Sequence, residues 1–137
     1  MDIQKSININ IRQILEISRN IAVVGLSDSP LKPSNQVSRY MQDMGYRIIP
    51  INPKYNHILG EKCYADLRSV PDSIDIVNIF RNPDHVFPIV EQAIALKPRA
   101  VWMQFGVINE PAAQLALQHG IAVVMDRCIK IEHLRYF

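Results

Sequence analysis

The chain has 137 residues, which is enough for one domain with a hydrophobic core. Its 48% hydrophobic and 20% charged residues are ordinary for a globular protein, and a net charge of +2 is too small to indicate nucleic-acid binding. The apolar runs are far shorter than the ~20 residues of a membrane span, and the N-terminus lacks the apolar segment of a signal peptide. Two cysteines indicate no disulfide framework, so we expect a cytoplasmic protein that binds neither nucleic acid nor membrane.

The first half of the chain is predicted to alternate between helices and strands. Apolar residues at helical spacing predict a helix over 8–19, followed by a strand over 20–25. Pro33 or Ser34 begins a second helix, which ends at Gly45 and leads into a strand over 46–51. Residues 53–73 are predicted to be irregular, with one turn at 59–60 and one helical turn near 65–69.

The second half continues the same alternation. Apolar runs predict strands over 74–80, 100–104 and 121–125. A helix over about 84–96 separates the first two of these strands, and a helix that starts near Asn109 and ends at Gly120 separates the last two. A polar tail follows over 126–137. Strands of almost continuous apolar residues are typical of a parallel sheet covered on both faces. We therefore predict one α/β domain over residues 1–137, with a doubly wound, mostly parallel, five-stranded Rossmann-like sheet and helices on both faces. Ligands of such sheets bind beyond the carboxyl ends of the strands.

The segment Gly25–Ser34, between the first strand and the second helix, is a candidate phosphate-binding loop. It lacks the full G-x-G-x-x-G pattern and is long and bulky for a dinucleotide pyrophosphate. Its backbone N–H groups and the hydroxyls of Ser27, Ser29 and Ser34 could still hold phosphates at the start of the helix. The alternative is an ordinary connecting loop rich in turn-forming residues.

The residues at the end of the second strand indicate which nucleotide such a loop would bind. Sites for NAD usually carry an acid there, whereas this strand ends in Asn52, Pro53 and Lys54. A cation suits the extra ribose phosphate of NADP or coenzyme A (CoA), although Lys54 also fits a solvated surface lysine. Arg81 follows the third strand and is either a second ligand contact or an exposed charge.

The remaining strand ends offer polar groups without an obvious catalytic set. Gln104 and Gly106 are expected to face the cleft, while Phe105 is expected to pack in the core or at its rim. The spacing of Cys128 and His133 fits neither a C-x-x-C motif nor a helical pair of ligands, and no base can be placed beside the thiol. We therefore predict no catalytic residue and no metal site, with catalysis or metal binding at Cys128 as the alternatives to a structural role.

Several motifs in this order carry a family resemblance over roughly residues 10–133. They are Val24–Ser27, Pro30, Lys32–Ser34, Gly45–Pro53, Ile58–Glu61, Phe80-Arg81, Trp102–Gly106 and Asp126–His133. With these motifs the chain resembles the stand-alone CoA-binding domain proteins, which share their fold with the CoA-binding domain of the succinyl-CoA synthetase alpha subunit.

The resemblance implies a CoA site. It implies that the loop Gly25–Ser34 holds the CoA pyrophosphate, that the tip of the second strand flanks the 3′-phosphate, and that the third and fourth strand ends line the cleft further along. The predicted cofactor-binding residues are Gly25, Leu26, Ser27, Ser29, Pro30, Lys32, Ser34, Asn52, Pro53, Lys54, Phe80, Arg81, Gln104, Phe105 and Gly106.

The resemblance also bears on activity. The synthetases have a phosphohistidine-bearing ligase domain and a nucleotide-grasp subunit that this chain is expected to lack, so the resemblance implies binding of CoA or an acyl-CoA without ligase activity. An NADP-type oxidoreductase or a redox-sensing nucleotide-binding protein is the alternative. The missing glycines count against it, and so does the lack of an obvious hydride-site acid or base. Neither a protein partner nor an acyl group follows from the sequence.

Overall fold

Helices and strands alternate along the chain in the computed structural model, which describes residues 2–137. The strands are β1 (Asn20–Val24), β2 (Arg47–Ile51), β3 (His57–Ile58), β4 (Glu61–Lys62), β5 (Ile76–Ile79), β6 (Ala100–Met103) and β7 (Ala122–Met125). The helices are α1 (Ile11–Ile17), α2 (Pro33–Asp43), α3 (Val86–Leu96), α4 (Glu110–Gln118) and α5 (Ile129–Tyr136). Short 3₁₀ turns lie at Ile3–Lys5, Leu67–Ser69 and Pro83–His85.

Five of the strands form a parallel sheet in the order β2-β1-β5-β6-β7. The chain runs outward from β1 to β2 and then returns to the other side of β1, so the direction of winding reverses between β1 and β5. Val24 lies in register with Ile51 of β2 and Ile79 of β5, and Ile79 lies in register with Met103 of β6. The four strand ends are therefore level, and a crevice opens beyond them at the switch point.

Helices cover both faces of this sheet, as the apolar strands require. Helices α1, α2 and α5 pack on one face together with Trp102 and Leu26, whereas α3 and α4 pack on the other. The predicted doubly wound α/β fold is confirmed. At the outer edge of β7, the Asn8 side chain accepts a hydrogen bond from the Met125 N–H at 2.7 Å and donates one to the Met125 carbonyl at 3.1 Å. The segment before α1 thus pairs with an edge strand that would otherwise be open.

The structure differs from the sequence prediction in two segments. Residues 53–73 contain the small antiparallel hairpin of β3 and β4, and most of the predicted polar tail 126–137 lies in the helix α5. The buried face of α5 carries Glu132, which is 1% exposed and lies between Arg127 and Arg135 at 3.5 and 3.3 Å. It also carries His133, whose Nδ1 is hydrogen bonded to the Tyr40 hydroxyl at 2.8 Å. Because these polar groups occupy core positions, the hydrophobic periodicity that marks a helix is lost.

Two absences were found within residues 2–137. No helix there has both the length and the apolar character that crossing a membrane requires. No group of three His, Cys, Asp or Glu side chains in the same range comes together in a way that could hold a metal ion.

Candidate functional site

Two adjoining cavities lie beyond the carboxyl ends of β2, β1, β5 and β6. The larger, here called the apolar cleft, has a volume of about 760 Å³. It is lined by Gly25, Ser27, Lys32, Pro33, Ser34, Val37, Phe80, Arg81, Asn82, Gln104, Phe105, Val107, Cys128 and Ile131. The smaller, here called the polar hollow, has a volume of about 330 Å³ and is lined by Val24, Gly25, Ile51, Asn52, Pro53, Lys54, Ala65, Phe80 and Arg81. Because Gly25, Phe80 and Arg81 belong to both, the two cavities form one continuous site.

Gly25 lies where the two cavities meet, and its environment requires glycine. Its φ of +86° is in the left-handed region that side chains disfavour. A Cβ atom there would overlap the carbonyl oxygen of Phe80 and lie 3.0 Å from Cδ of Arg81. The absence of a side chain therefore lets the turn after β1 approach the backbone after β5.

The loop from Gly25 to Ser34 is held by its own side chains. The Ser27 N–H donates to Oγ of Ser34 at 3.0 Å, and the Ser29 N–H donates to Oγ of Ser27 at 3.1 Å. Nδ2 of Asn35 donates to the Ser27 carbonyl at 2.9 Å. Since these hydroxyl oxygens accept from the backbone, their own protons can be donated to another acceptor. The loop is thus fixed in shape and presents hydroxyl donors at its inner side.

The N-terminus of α2 opens into the apolar cleft without a side-chain cap. Its N-cap residue is Lys32, which makes no capping hydrogen bond, and Pro33 occupies the first turn. The N-terminal end of an eleven-residue helix carries a partial positive charge, and Lys32 adds a full one. Uncapped helix starts of this kind favour phosphate groups.

Asn52 joins the end of β2 to the loop after β1. Its Oδ1 accepts a hydrogen bond from the Lys54 N–H at 3.0 Å, and its Nδ2 donates to the Leu26 carbonyl at 3.0 Å. The Cys63 thiol donates to the Asn52 carbonyl at 3.2 Å. Both ends of the Asn52 amide are thus engaged within the protein, which fixes the position of Lys54 at the rim of the polar hollow.

Three cations surround the joined cavities. Lys32, Arg81 and Lys54 are exposed, and the ion pairs found within residues 2–137 all involve other basic residues. Asp28, the acid of the Gly25–Ser34 loop, interacts instead with Tyr55, whose hydroxyl pKa is raised chiefly because it hydrogen bonds to this carboxylate. The site therefore presents positive charge that carboxylates within the described chain leave unpaired.

The β6 end of the apolar cleft is lined by one buried amide and by exposed apolar side chains. Gln104 is 4% exposed, and its Oε1 accepts a hydrogen bond from the Ile129 N–H at 3.0 Å, which anchors the start of α5. Phe105 and Ile131 line this end with side chains that are 78% and 57% exposed. The structure thus combines a buried amide with an open apolar surface at the far end from Lys54.

Most of the predicted binding residues are brought together in these cavities, and four of the fifteen lie outside their lining. Leu26 is fully buried and contributes its carbonyl to Asn52, and Gly106 donates its N–H to Asp126 at 2.7 Å. The other two are Ser29 and Pro30, in the outer part of the loop. Lining residues that the prediction omitted include Pro33, Val37, Asn82, Val107, Cys128 and Ile131.

Two of the omitted residues lie next to or within α5. Cys128 and Ile131 reach the apolar cleft because α5 packs beside the end of β6. A sequence signal for this placement existed only in the position of Cys128 shortly after the fifth predicted strand, which ends at Met125. Cys63, in contrast, is buried, and its burial raises the pKa of its thiol.

Comparison with known proteins identifies the family. The family model for the CoA binding domain matches residues 19–134. The chain is 43% identical over 123 residues to the uncharacterized protein YneT of Bacillus subtilis, which covers 90% of this chain and 91% of YneT. It is also 36% identical to the ADP-forming acetate–CoA ligase of Methanocaldococcus jannaschii, over 82% of this chain but only 17% of the ligase.

Solved structures share the fold of this chain. A hypothetical protein from Pyrococcus horikoshii superposes with a TM-score of 0.90 and 38% identity, over 93% of this chain and 89% of that one. A protein from Thermus thermophilus superposes over the full length of both chains with a TM-score of 0.89 and 33% identity. The chain therefore belongs to the CoA-binding domain family, as its motifs predicted.

Proposed function

We propose that this protein binds CoA or an acyl-CoA as a non-catalytic module, formed by one domain over residues 1–137. In this proposal the pyrophosphate lies on the Gly25–Ser34 loop at the start of α2, and the 3′-phosphate lies near Lys54. The observation that carries the proposal is the continuity of the polar hollow with the apolar cleft through Gly25, Phe80 and Arg81. CoA has a comparable division, since its adenosine phosphates are charged and its pantetheine arm is uncharged.

The chemistry of the donors supports the phosphate end of this assignment. An uncapped helix N-terminus, serine hydroxyls with protons to donate and three cations that no carboxylate of residues 2–137 pairs with suit a ligand that carries several negative charges. The acetate–CoA ligase relatives are named for a reaction that uses CoA, and this chain matches 17% of the first of them. This match supports CoA binding rather than ligase activity by the chain alone.

The proposal is tested by measuring how Lys54 recognises the 3′-phosphate. Calorimetry on the unmodified protein should show tighter binding of CoA than of 3′-dephospho-CoA. Lys54→Ala should weaken CoA binding by roughly 1.5–3 kcal/mol, the range for hydrogen bonds to charged groups, which is about one to two decades in affinity. The same variant should leave dephospho-CoA binding nearly unchanged.

The matched control is Lys5→Ala, which removes an exposed lysine outside both cavities. Equal affinity of the unmodified protein for the two CoA forms would remove the role assigned to Lys54. Binding of NADP in place of CoA would favour the oxidoreductase or redox-sensing alternative.

A further inference from the structure

The β6 end of the apolar cleft has an exposed apolar surface that phosphate binding does not need. Phe105 follows β6 and Ile131 lies on α5, so two separate elements present hydrophobic side chains toward one cavity. Val37 and Val107 continue the same lining. Because exposing large apolar side chains is unfavourable, such a surface can pack against an apolar group of a ligand in the cleft.

A polar group lies beside this surface. Gln104 is almost fully buried, and its Oε1 is occupied by the Ile129 N–H. Within residues 2–137 the Nε2 of the same amide is paired with no acceptor, and Gln104 is part of the lining of the apolar cleft. Nε2 is not one of the fully buried polar atoms that lack a partner in the described chain, so it stays open to the cleft, where a ligand with a carbonyl oxygen can accept a hydrogen bond from it.

The order of the strands says which part of a bound CoA reaches this end. With the 3′-phosphate at β2, the ligand crosses β1 and β5 before it reaches β6. Three spacings of about 4.8 Å put the end of β6 about 14 Å from that of β2. The end of CoA remote from the 3′-phosphate is the thiol, to which acyl groups are attached.

We infer that the preferred ligand is an acyl-CoA rather than free CoA, on the basis of the function proposed above. Nε2 of Gln104 donates a hydrogen bond to the thioester carbonyl, and the acyl chain packs against Phe105 and Ile131. No covalent step is involved. Gln104 is then a specificity-determining residue, because free CoA has no carbonyl at its thiol end.

Three ligands separate the two parts of this inference. Calorimetry would compare CoA, butyryl-CoA and S-butyl-CoA, a thioether that carries the same four carbons without the carbonyl. S-butyl-CoA is expected to bind more tightly than CoA, by about fourfold for each methylene that is buried. Butyryl-CoA is expected to bind about threefold to tenfold more tightly than S-butyl-CoA through the carbonyl hydrogen bond.

Two variants assign these differences to residues. Gln104→Glu keeps an oxygen for the Ile129 N–H but replaces the Nε2 donor, so it should abolish the preference for butyryl-CoA over S-butyl-CoA. Phe105→Ala, at an exposed position, should reduce the advantage of both butyl ligands over CoA. Gln114→Glu makes the same chemical change at an exposed position on α4 outside the cleft and should alter neither difference.

The outcomes distinguish this inference from the proposed function. Equal affinity for CoA, butyryl-CoA and S-butyl-CoA would overturn the acyl preference and leave CoA binding standing. Equal affinity for butyryl-CoA and S-butyl-CoA would overturn the role of Gln104, as would an equal loss for all three ligands in Gln104→Glu. Only if none of the three ligands bound would the proposed function itself be overturned. If Gln104→Glu does not fold, the comparison of the two butyl ligands on the unmodified protein still decides the carbonyl hydrogen bond.

Discussion

Replacing Gly25 by alanine tests the junction on which the whole site is built. The added methyl group would meet the Phe80 carbonyl oxygen inside the normal contact distance, in a backbone held at φ +86°. A residue other than glycine in the left-handed conformation costs about 1–2 kcal/mol. Forcing an extra carbon into a packed site costs roughly 1–3 kcal/mol more. Gly25→Ala should therefore lower the free energy of unfolding by about 2–5 kcal/mol in total.

A second glycine supplies the matched control. Gly120 has a similar φ of +75°, but nothing lies within 4 Å of the position where its Cβ would be. Gly120→Ala should therefore cost only the conformational part, about 1–2 kcal/mol. Urea unfolding monitored by circular dichroism would give the free energy of unfolding of each variant, and an unchanged m-value would show that the difference is one of stability. Equal destabilisation would refute the close approach of Gly25 to Phe80, and a Gly25→Ala protein with normal stability and normal CoA affinity would show that the loop after β1 is an ordinary connection.

Three further predictions concern other parts of the molecule. A thiol reagent should modify Cys128 before Cys63, because Cys128 lines the apolar cleft while burial raises the pKa of the Cys63 thiol. CoA disulfide should likewise transfer one CoA to Cys128 by disulfide exchange, with release of free CoA. The mass of the intact protein should show this adduct in the unmodified protein and none in Cys128→Ser. Burial lowers the pKa of His133 below 6.5. The stability that the neutral ring contributes should therefore be present above pH 6.5 and be lost as the pH falls toward the folded-state pKa. The free energy of unfolding of His133→Gln should lack this pH dependence, and the same pH dependence in both proteins would contradict the prediction. Asn8→Ala should lower the free energy of unfolding by about 1–3 kcal/mol by leaving the Met125 backbone groups unpaired, and no loss in urea titration would show that the β7 edge needs no cover.

The sheet could be predicted because each of its strands is a short apolar run bounded by turn residues. Gly25 was recognisable from its place between a strand and a proline-bearing helix start, although the group that approaches it is the Phe80 carbonyl. The grouping of Lys32, Lys54 and Arg81 around the cavities follows from the same rule, since the polar residues after parallel strands meet at one edge of the sheet.

The far end of the site could not be predicted in the same way. Its lining depends on α5, whose buried face carries Glu132 and His133 and so lacks helical periodicity. Glu132 lies near Arg127 and Arg135, but neither of its carboxylate oxygens accepts a hydrogen bond within the described residues, and these ion pairs arise only from the tertiary structure. The short hairpin of β3 and β4 was missed because strands of two residues give no alternation to detect.

A calorimetric titration of the unmodified protein with CoA, with NADP and NAD titrated in parallel, decides between a CoA site and a dinucleotide site. We expect saturable binding of one CoA per chain, with no comparable heat from either dinucleotide. Binding of NADP that CoA does not displace, or no binding of CoA at all, would rule out the proposed CoA site.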